Sequence, residues 1–542
     1  MKTPKACRQC RESKRRCTRR GPGDPCDTCG QRRLPCDGHL NRQYHGHRRA
    51  LVAKQPINQG CSKEKVVCVS TPTDHEALSL PKGTAIELVD HYLDKIHDRP
   101  HSLFHPATLR AQVHGGTISD HLLFAICALG SRFSANPDTR QLEASLVAES
   151  KRLLQARLED ISLENIQTFL LLALLSFGNG NSSSEILFFR IATNMSDIMQ
   201  LNSVNSEGSV ISRETRLRAW WSIYLADMWC ISGLGLPSHL KDAAIMITPP
   251  MSESMFGSFD LQQQKLEKHW SPGLWAQLIT LVQLFGPIQD LNRRIVNGDI
   301  LVDELNDEVS RQGGQLDMWV DMLPSDAQMN ASNLIQHQKM GLGGLLISLH
   351  LTYHHYSMLL YFHFLEAYQA PSPTDLLYIK RCRRHASCFS ALIEKSRQLK
   401  GCDAVYPLVG HMTTVSSIVL VHKLLFGEAE ELEDAREALN ANFEALIELK
   451  QYWPVTTTWI HRLVLFQNIC VQSADTMPHQ LNGWMLRLLI EHSLPLDPGR
   501  SLSEAETRAA PSEERKNMPA NLKSKPFGEM SRSLDIPALL GI

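Results

Sequence analysis

The sequence lacks the long apolar runs and secretory signals that mark membrane and exported proteins. Its longest apolar stretch, FLLLALLSF at 169–177, has nine residues, whereas about 20 are needed to cross a bilayer. The first 50 residues are basic and contain no apolar run, so no signal peptide is predicted. We expect a soluble, intracellular protein without a membrane partner.

Common catalytic signatures are also missing. The sequence contains no HExxH, no GxSxG and no phosphate-binding loop, and GNGNSSS at 178–184 lacks the lysine that such a loop needs. His350 and His354 are spaced like helical zinc ligands, but Leu351 stands where a zincin has glutamate. We interpret these histidines as core or groove residues, GNGNSSS as an interhelical turn, and the chain as not an enzyme.

Charge is distributed very unevenly along the chain. Residues 1–50 hold 14 Lys and Arg against 4 Asp and Glu, although the whole chain has a net charge of −1. Such asymmetry indicates a polyanion-binding arm attached to an acidic body.

Six of the 14 cysteines lie in residues 1–36, in two copies of the pattern C-x2-C-x6-C. Each copy offers three thiolates, and zinc prefers four tetrahedral ligands. Six thiolates give each of two zinc ions four ligands only if two of the sulfurs bind both ions. The spacing therefore predicts a binuclear cluster with two Zn ions per chain, held by Cys7, Cys10, Cys17, Cys26, Cys29 and Cys36. A mononuclear ribbon would leave two cysteines unexplained, and no βαβ pattern supports a redox pair.

Residues 6–36 resemble the fungal zinc binuclear cluster (Zn2Cys6) transcription factors. The resemblance implies that Cys7 and Cys26 are the bridging thiolates, that Cys10 and Cys17 complete one zinc site, and that Cys29 and Cys36 complete the other. It also implies CGG-type half-sites in double-stranded DNA as the target, with Lys14 as the residue that reads bases.

Lysine donates hydrogen bonds only, and guanine presents two acceptors in the major groove, which agrees with that role for Lys14. The neighbouring arginines can neutralise phosphates, which sets affinity and register without reading sequence. The predicted phosphate-contacting residues are Arg8, Arg11, Arg15, Arg16, Arg19, Arg20, Arg32 and Arg33.

Beyond the cysteines, residues 41–80 have the composition of a linker. No run of three or four heptads is present, so the sequence leaves a homodimer undecided. Residues 81–495 show helical periodicity, with Thr84 as the expected N-cap of the first helix. Residues 496–542 are polar and contain proline, which predicts a disordered tail.

The segment 214–237 resembles part of the fungal-specific transcription factor domain. The matching residues are Glu214, Arg216, Arg218, Trp220, Trp221, Asp227, Gly235 and Pro237, while Leu217 and Leu236 replace expected arginines. We expect two tryptophans in a core and arginines paired with carboxylates, and a ligand-sensing pocket stays open as an alternative. The acidic segment 428–450 is expected to be a solvated amphipathic helix.

These features predict a mainly α protein. A small Zn2Cys6 DNA-binding domain with two short helices (1–40) precedes a linker, an all-helical regulatory domain (81–495) and a tail. The favoured function is a nuclear, sequence-specific transcription regulator, with coactivators as further partners. Resemblance favours an RNA polymerase II activator of a metabolic, including secondary-metabolite, gene set. An enzyme recruited to DNA and a non-DNA scaffold are the alternatives.

Overall fold

The computed structural model divides the chain into two compact units, Met1–His75 and Glu76–Ile542. The structure describes residues 10, 17–18, 26–31, 78–99, 101–203, 208–233, 236, 238–240, 247–260, 270–365, 372–427, 429–476, 486 and 489–490. Most of the predicted linker and the whole predicted tail, 496–542, lie outside these residues.

Helices dominate the described residues, which confirms the mainly α prediction. In the first unit, helix α1 spans Asp27–Gln31. Within the described part of the second unit the only β-type pairing is an isolated bridge between Met251 and Pro272.

The first half of the helical unit is built from helices of 5 to 24 residues, of which α4 and α7 are apolar nearly all round. They are α2 (Lys82–Lys95), α3 (Pro106–Gly115), α4 (Asp120–Ser131), α5 (Pro137–Gln141), α6 (Glu143–Gln155), α7 (Leu163–Gly178), α8 (Ser182–Met199) and α9 (Val210–Gly233). Helix α7 is buried from Asn165 to its end, as a helix that is apolar all round must be. It packs against α8 along most of its length.

The second half continues with α10 (Glu253–Gly257), α11 (Leu274–Gln283), α12 (Phe285–Asn297), α13 (Val302–Asp321), α14 (Ala331–Lys339), α15 (Gly343–Tyr361), α16 (Pro373–Gln398), α17 (Leu408–Phe426), α18 (Leu432–Tyr452) and α19 (Thr456–Thr476). Helix α15 lies at the centre, in contact with α11 to α14, α16 and α17. Leu486, Leu489 and Ile490 are also buried in this core.

Local signals explain several helix ends. Ser162 caps α7 by accepting a hydrogen bond from the Asn165 amide, and Ser372 forms a capping box with Asp375 at the start of α16.

The predicted turn at 178–184 is confirmed, because α7 ends at Gly178 and α8 begins at Ser182. The predicted N-cap at Thr84 is wrong: α2 begins at Lys82 after Pro81. The ψ of 135° at Pro81 is non-helical, so this residue is the boundary.

Helix α17 is predominantly apolar over a longer stretch than the nine-residue apolar run at 169–177. Its 18-residue window Leu408–Leu425 has the length and composition of a membrane-spanning helix, yet 94% of that window is buried inside the fold. Polar residues are interspersed there and find partners within the core. The Asn442 amide of α18 donates to the hydroxyls of Ser416 (3.1 Å) and Ser417 (3.2 Å), as expected for a core helix rather than a lipid-facing one.

Arg132, at the C-terminal end of α4, joins α4, α6 and the turn after α7 in the first half to the end of α18 in the second. Its guanidinium donates to both carboxylate oxygens of Glu143, to the Asn179 side chain and to the Tyr452 carbonyl. It also lies 4.6 Å from the ring centroid of Trp453. A buried cation is stable only when it is paired and hydrogen-bonded in this way.

Helix α4 approaches α2 so closely that only glycine fits at position 130. A Cβ there would lie 1.9 Å from the carbonyl oxygen of Leu88. We expect Gly130→Ala to lower the free energy of unfolding by about 3 kcal/mol, because the two helix backbones must move apart. Thermal unfolding followed by circular dichroism measures the change.

The matched control is Gly83→Ala, in the first turn of α2, where nothing lies within 4 Å of the new methyl group. This variant should be neutral or more stable by up to about 1 kcal/mol, because alanine is the better helix former. Equal unfolding midpoints for the two variants would contradict the close approach of α2 and α4.

Candidate metal centre and buried polar network

Three of the predicted cysteine ligands come together in the first unit. The sulfur atoms of Cys10, Cys17 and Cys26 all lie within 4.8 Å of one another. The Cys10 and Cys26 sulfurs are 3.5 Å apart, well beyond the ~2.05 Å of a disulfide bond. Cys10, Cys26 and Cys29 are at most 1% exposed, so the described part of this unit has a core made of cysteine.

The backbone holds the two cysteine repeats together. The amide of Asp27 donates to the carbonyl of Thr18 at 3.0 Å, which joins the residue after Cys17 to the residue after Cys26. The amide of Cys29 donates to the Cys26 carbonyl at 3.0 Å. Helix α1 therefore begins directly after Cys26, and the C-x2-C segment forms its first turn.

These sulfurs suit zinc. With Zn–S bonds of about 2.3 Å, two ligands at a tetrahedral angle have sulfurs about 3.8 Å apart, close to the Cys10–Cys26 distance. Three sulfurs of this soft ligand type, mostly withdrawn from water, form a donor set that zinc prefers to hard cations. Cys10, Cys17 and Cys26 therefore fit a single zinc ion.

Other predicted residues of this unit lie outside the described residues. They are the ligands Cys7 and Cys36 and the DNA-contacting Lys14, Arg8, Arg11, Arg15, Arg16, Arg19, Arg20, Arg32 and Arg33. Their assignments stay predictions.

In the helical unit, Arg218 of α9 is completely buried. Its Nε donates to Glu214 at 2.9 Å, Nη1 to the Ser102 hydroxyl at 2.7 Å, and Nη2 to the Met251 carbonyl at 2.6 Å. One side chain thus holds together the loop after α2, helix α9 and the segment before α10.

Two aromatic rings and further carboxylates complete this polar network. The guanidinium lies 4.4 Å from the ring centroid of Phe256 and 5.4 Å from that of Trp275, within cation–π range. Asp98 lies 3.8 Å from Nη1. Glu253 accepts hydrogen bonds from the Leu274 and Trp275 amides at the start of α11, where the helix dipole favours a negative charge.

Burial and charge act in opposite directions on these carboxyl groups. Burial raises the pKa of Glu214, although Arg218 beside it favours the ionised form. Burial raises the pKa of Glu253 as well, again opposed by Arg218. At Asp98, burial would also raise the pKa, but His97 and Arg218 hold it well below its usual range.

The tryptophans of the 214–237 segment pack in the core, as predicted. The Trp220 and Trp221 ring centroids are 4.8 Å apart in an edge-to-face arrangement, and both residues are at most 2% exposed. Trp221 also donates its Nε1 hydrogen to the Thr248 carbonyl. This arrangement supports a structural role for the pair.

The remaining residues of that segment have separate partners. Asp227 accepts from the His239 and Leu240 amides at 3.1 and 3.2 Å and lies 3.6 Å from Arg190. Arg216 donates to the Met199 carbonyl at the end of α8. Leu217 and Leu236, which replace arginines of the resembled motif, pack against the core. Gly235 and Pro237 lie outside the described residues.

His350 is buried and His354 is partly buried, in agreement with the core or groove interpretation. His350 Nε2 lies 2.9 Å from the Ala327 carbonyl, and His354 Nδ1 lies 2.9 Å from His385 Nδ1 on α16. The partner of each histidine is therefore a protein group of the core, and the zincin interpretation is not supported.

Comparison with known proteins agrees with the cysteine and helical features. Residues 89–338 match the family model described as the fungal specific transcription factor domain. Among curated relatives, the Zn(2)-C6 fungal-type transcription factor FTF1c of Fusarium oxysporum f. sp. lycopersici is 21% identical over 68% of this chain and 43% of its own length. The chain is therefore similar to the fungal specific transcription factor domain over residues 89–338 and to proteins named as Zn(2)-C6 fungal-type transcription factors.

Further curated relatives include the Fusarium factor FTF2, which is 21% identical over 68% of this chain and 38% of its own length. An uncharacterized transcriptional regulatory protein of Schizosaccharomyces pombe is 31% identical over 26% of this chain and 42% of its own length. The chain thus spans about two fifths of the length of these relatives. The relatives are named as transcription factors or regulators, in agreement with the prediction that the chain is not an enzyme.

Several residues of the fungal transcription factor domain could not be assigned from sequence. Ser102, Met251 and Asp98 complete the site of Arg218. They lie 33 to 120 positions from Arg218 in the chain. Only Glu214, one helical turn before Arg218, carries a local signal, because an i,i+4 pair of opposite charge is readable from spacing.

Removal of the Arg218 guanidinium should be strongly destabilising. We expect Arg218→Met to lower the free energy of unfolding by about 3–5 kcal/mol, because Glu214 and Asp98 would be left as uncompensated buried charges. Chemical denaturation followed by tryptophan fluorescence measures the loss, since Trp220, Trp221 and Trp275 lie close to the site.

Arg311→Met is the matched control. Arg311 pairs with Glu308 on the exposed face of α13, where such pairs contribute less than about 1 kcal/mol. A similar small loss for Arg218→Met would contradict its central role.

Proposed function

We propose that this chain is a nuclear, sequence-specific DNA-binding transcription regulator that activates RNA polymerase II transcription of a metabolic gene set. In this proposal residues 1–40 bind DNA through two zinc ions, and the helical domain of residues 81–495 regulates that activity. The grouping of Cys10, Cys17 and Cys26 within a strongly basic arm carries the proposal. A metal-stabilised fold surrounded by lysine and arginine suits a polyanion, and DNA is the polyanion that the relatives' names imply.

The assignment of individual residues is also proposed. Cys26 would bridge both metals, which is supported by the approach of its sulfur to Cys10 of the other repeat. Cys7 would be the second bridge, and Cys29 and Cys36 would complete the second site. Zinc would supply a rigid tetrahedral link between the repeats, and the thiolates of this chain would hold it.

DNA recognition would be divided between two kinds of cation. Lys14 would donate to guanine acceptors of a CGG-type triplet, and the flanking arginines would bind phosphates. Homodimerisation on two half-sites and coactivator binding would extend this mechanism, and sedimentation of the complex with one and with two triplets separates a monomer from a dimer.

Metal content tests the cluster directly. We expect two zinc ions per purified chain by elemental mass spectrometry. Cys26→Ser should lower this number for both sites, because the proposed bridge is shared. Cys388→Ser, a cysteine of α16 far from the cluster in sequence, should retain both ions. One zinc per unmodified chain would exclude the binuclear arrangement.

DNA binding tests the role of Lys14. Lys14→Ala should weaken binding to a CGG-containing duplex about 10- to 100-fold at fixed salt, with little change for a scrambled duplex. Arg15→Ala and Arg16→Ala should weaken both to a similar degree, because phosphates carry no sequence information. Titration by fluorescence anisotropy measures each of the three variants on both duplexes. An equal loss on both duplexes for Lys14→Ala would argue against base reading.

A further inference from the structure

The contact between α15 and α16 contains an unusual hydrogen bond between two histidines. His354 of α15 and His385 of α16 face each other with their Nδ1 atoms 2.9 Å apart and their ring centroids 5.1 Å apart. The two helices pack along much of their lengths. Both residues lie outside the matched domain of residues 89–338 and have no part in the proposed DNA binding.

This geometry sets the number of protons that the pair can hold. An imidazole nitrogen is either a donor or an acceptor, so one Nδ1 must carry the hydrogen and the other must be bare. If both rings were protonated, two N–H groups and two positive charges would face each other at 2.9 Å. The bond is therefore compatible with at most one additional proton on the pair.

The surroundings of the pair add mostly positive charge or apolar rings. The titratable and charged groups that face it are His350, Tyr353 and Tyr361 on α15, Arg381 and Arg384 on α16, and Asp317 on α13. Asp317 is the acidic member of this set, and its carboxylate is already paired with Arg381. Nothing in this set offers an uncommitted negative charge to a second imidazolium.

We propose that the His354–His385 pair is an acid-sensitive joint, which holds α15 against α16 at neutral pH and loosens when both imidazoles become protonated. The two helices would then separate locally, while the rest of the helical unit stays folded. The joint would couple the pH around the protein to the arrangement of its regulatory domain.

The direction of the electrostatic effects supports this joint. Burial lowers the pKa of His354, and His385, His350 and Arg384 lower it further. Burial, together with Arg381 and Arg384, lowers the pKa of His385 to about 4. In the open joint both groups would return toward about 6.5. The closed joint is therefore fully stable above about pH 6.5 and loses stability as the pH falls from there toward 4.

His350, a buried histidine on α15, differs from the pair because its hydrogen bond survives protonation of the ring. His350 donates its Nε2 hydrogen to the Ala327 carbonyl. A protonated His350 can keep that bond, because the carbonyl accepts from either form of the ring. His350 therefore provides a matched control on the same helix.

Hydrogen–deuterium exchange of the full chain at pH 7.5 and 5.5, corrected for intrinsic exchange rates, tests the joint. Each of the two histidines should lower the equilibrium constant for closing the joint about tenfold per pH unit below 6.5. We therefore expect protection in peptides from α15 and α16 to fall about 10- to 100-fold at pH 5.5. Helix α7 contains no histidine and serves as the internal reference. Unchanged protection of α15 and α16, or an equal loss in α7, would overturn the proposal.

Two variants identify the groups responsible. In His385→Asn one titrating group is removed and the amide oxygen can accept from a protonated His354, so the acid-induced loss of protection should shrink about tenfold relative to the unmodified chain. His350→Gln should behave as the unmodified chain does. If His385→Asn does not fold, as judged by circular dichroism at pH 7.5, His354→Asn replaces it with the same expectation. Full acid sensitivity in a folded asparagine variant would refute the role of the pair.

Discussion

Burial of the Arg218 guanidinium is the constraint on which much of the helical unit depends. A cation at zero exposure must find its full complement of acceptors in the protein, and Arg218 finds them in three segments that are distant in the chain. The loop around Asp98 and Ser102, helix α9 and the segment at Met251 must therefore fold together. Glu253 extends the same network to the first turn of α11.

Buried polar groups specify the packing elsewhere in the unit in the same manner. Arg132 ties the end of α4 to the turn after α7 and to the end of α18. Asn442 ties α18 to the hydroxyls of α17. An apolar surface alone would allow helices to slide or rotate against each other, whereas a buried donor that loses its acceptor carries a large desolvation cost. These networks make one arrangement of the helices far more stable than its alternatives.

The two units of the chain rely on different sources of stability. The helical unit has an extensive apolar core of its own. In the described part of the first unit the core consists of Cys10, Cys26 and Cys29 with Cys17 beside them. In the proposed zinc cluster, metal–thiolate bonds would supply stability that so few apolar groups do not. This division matches the proposed function, because a small rigid reader of DNA and a large deformable regulatory domain have different physical requirements. The acid-sensitive joint at His354 and His385 would belong to the helical regulatory domain.

The sequence alone determined the features whose signals lie within a few residues of each other: the repeated cysteine spacing, the helical periodicity, the turn at 178–184 and the Glu214–Arg218 pair. Each depends on one helical turn or one tight loop, and neighbouring residues in the chain are sufficient to define it. Tertiary packing was needed to define the distant partners of Arg218 and Arg132, the burial of the long apolar helix α17, and the contact of His354 with His385. The contact of His354 with His385 joins residues 31 positions apart, and that of Arg132 with Tyr452 joins residues 320 positions apart. Their geometry depends on how the intervening helices pack, which no local pattern encodes.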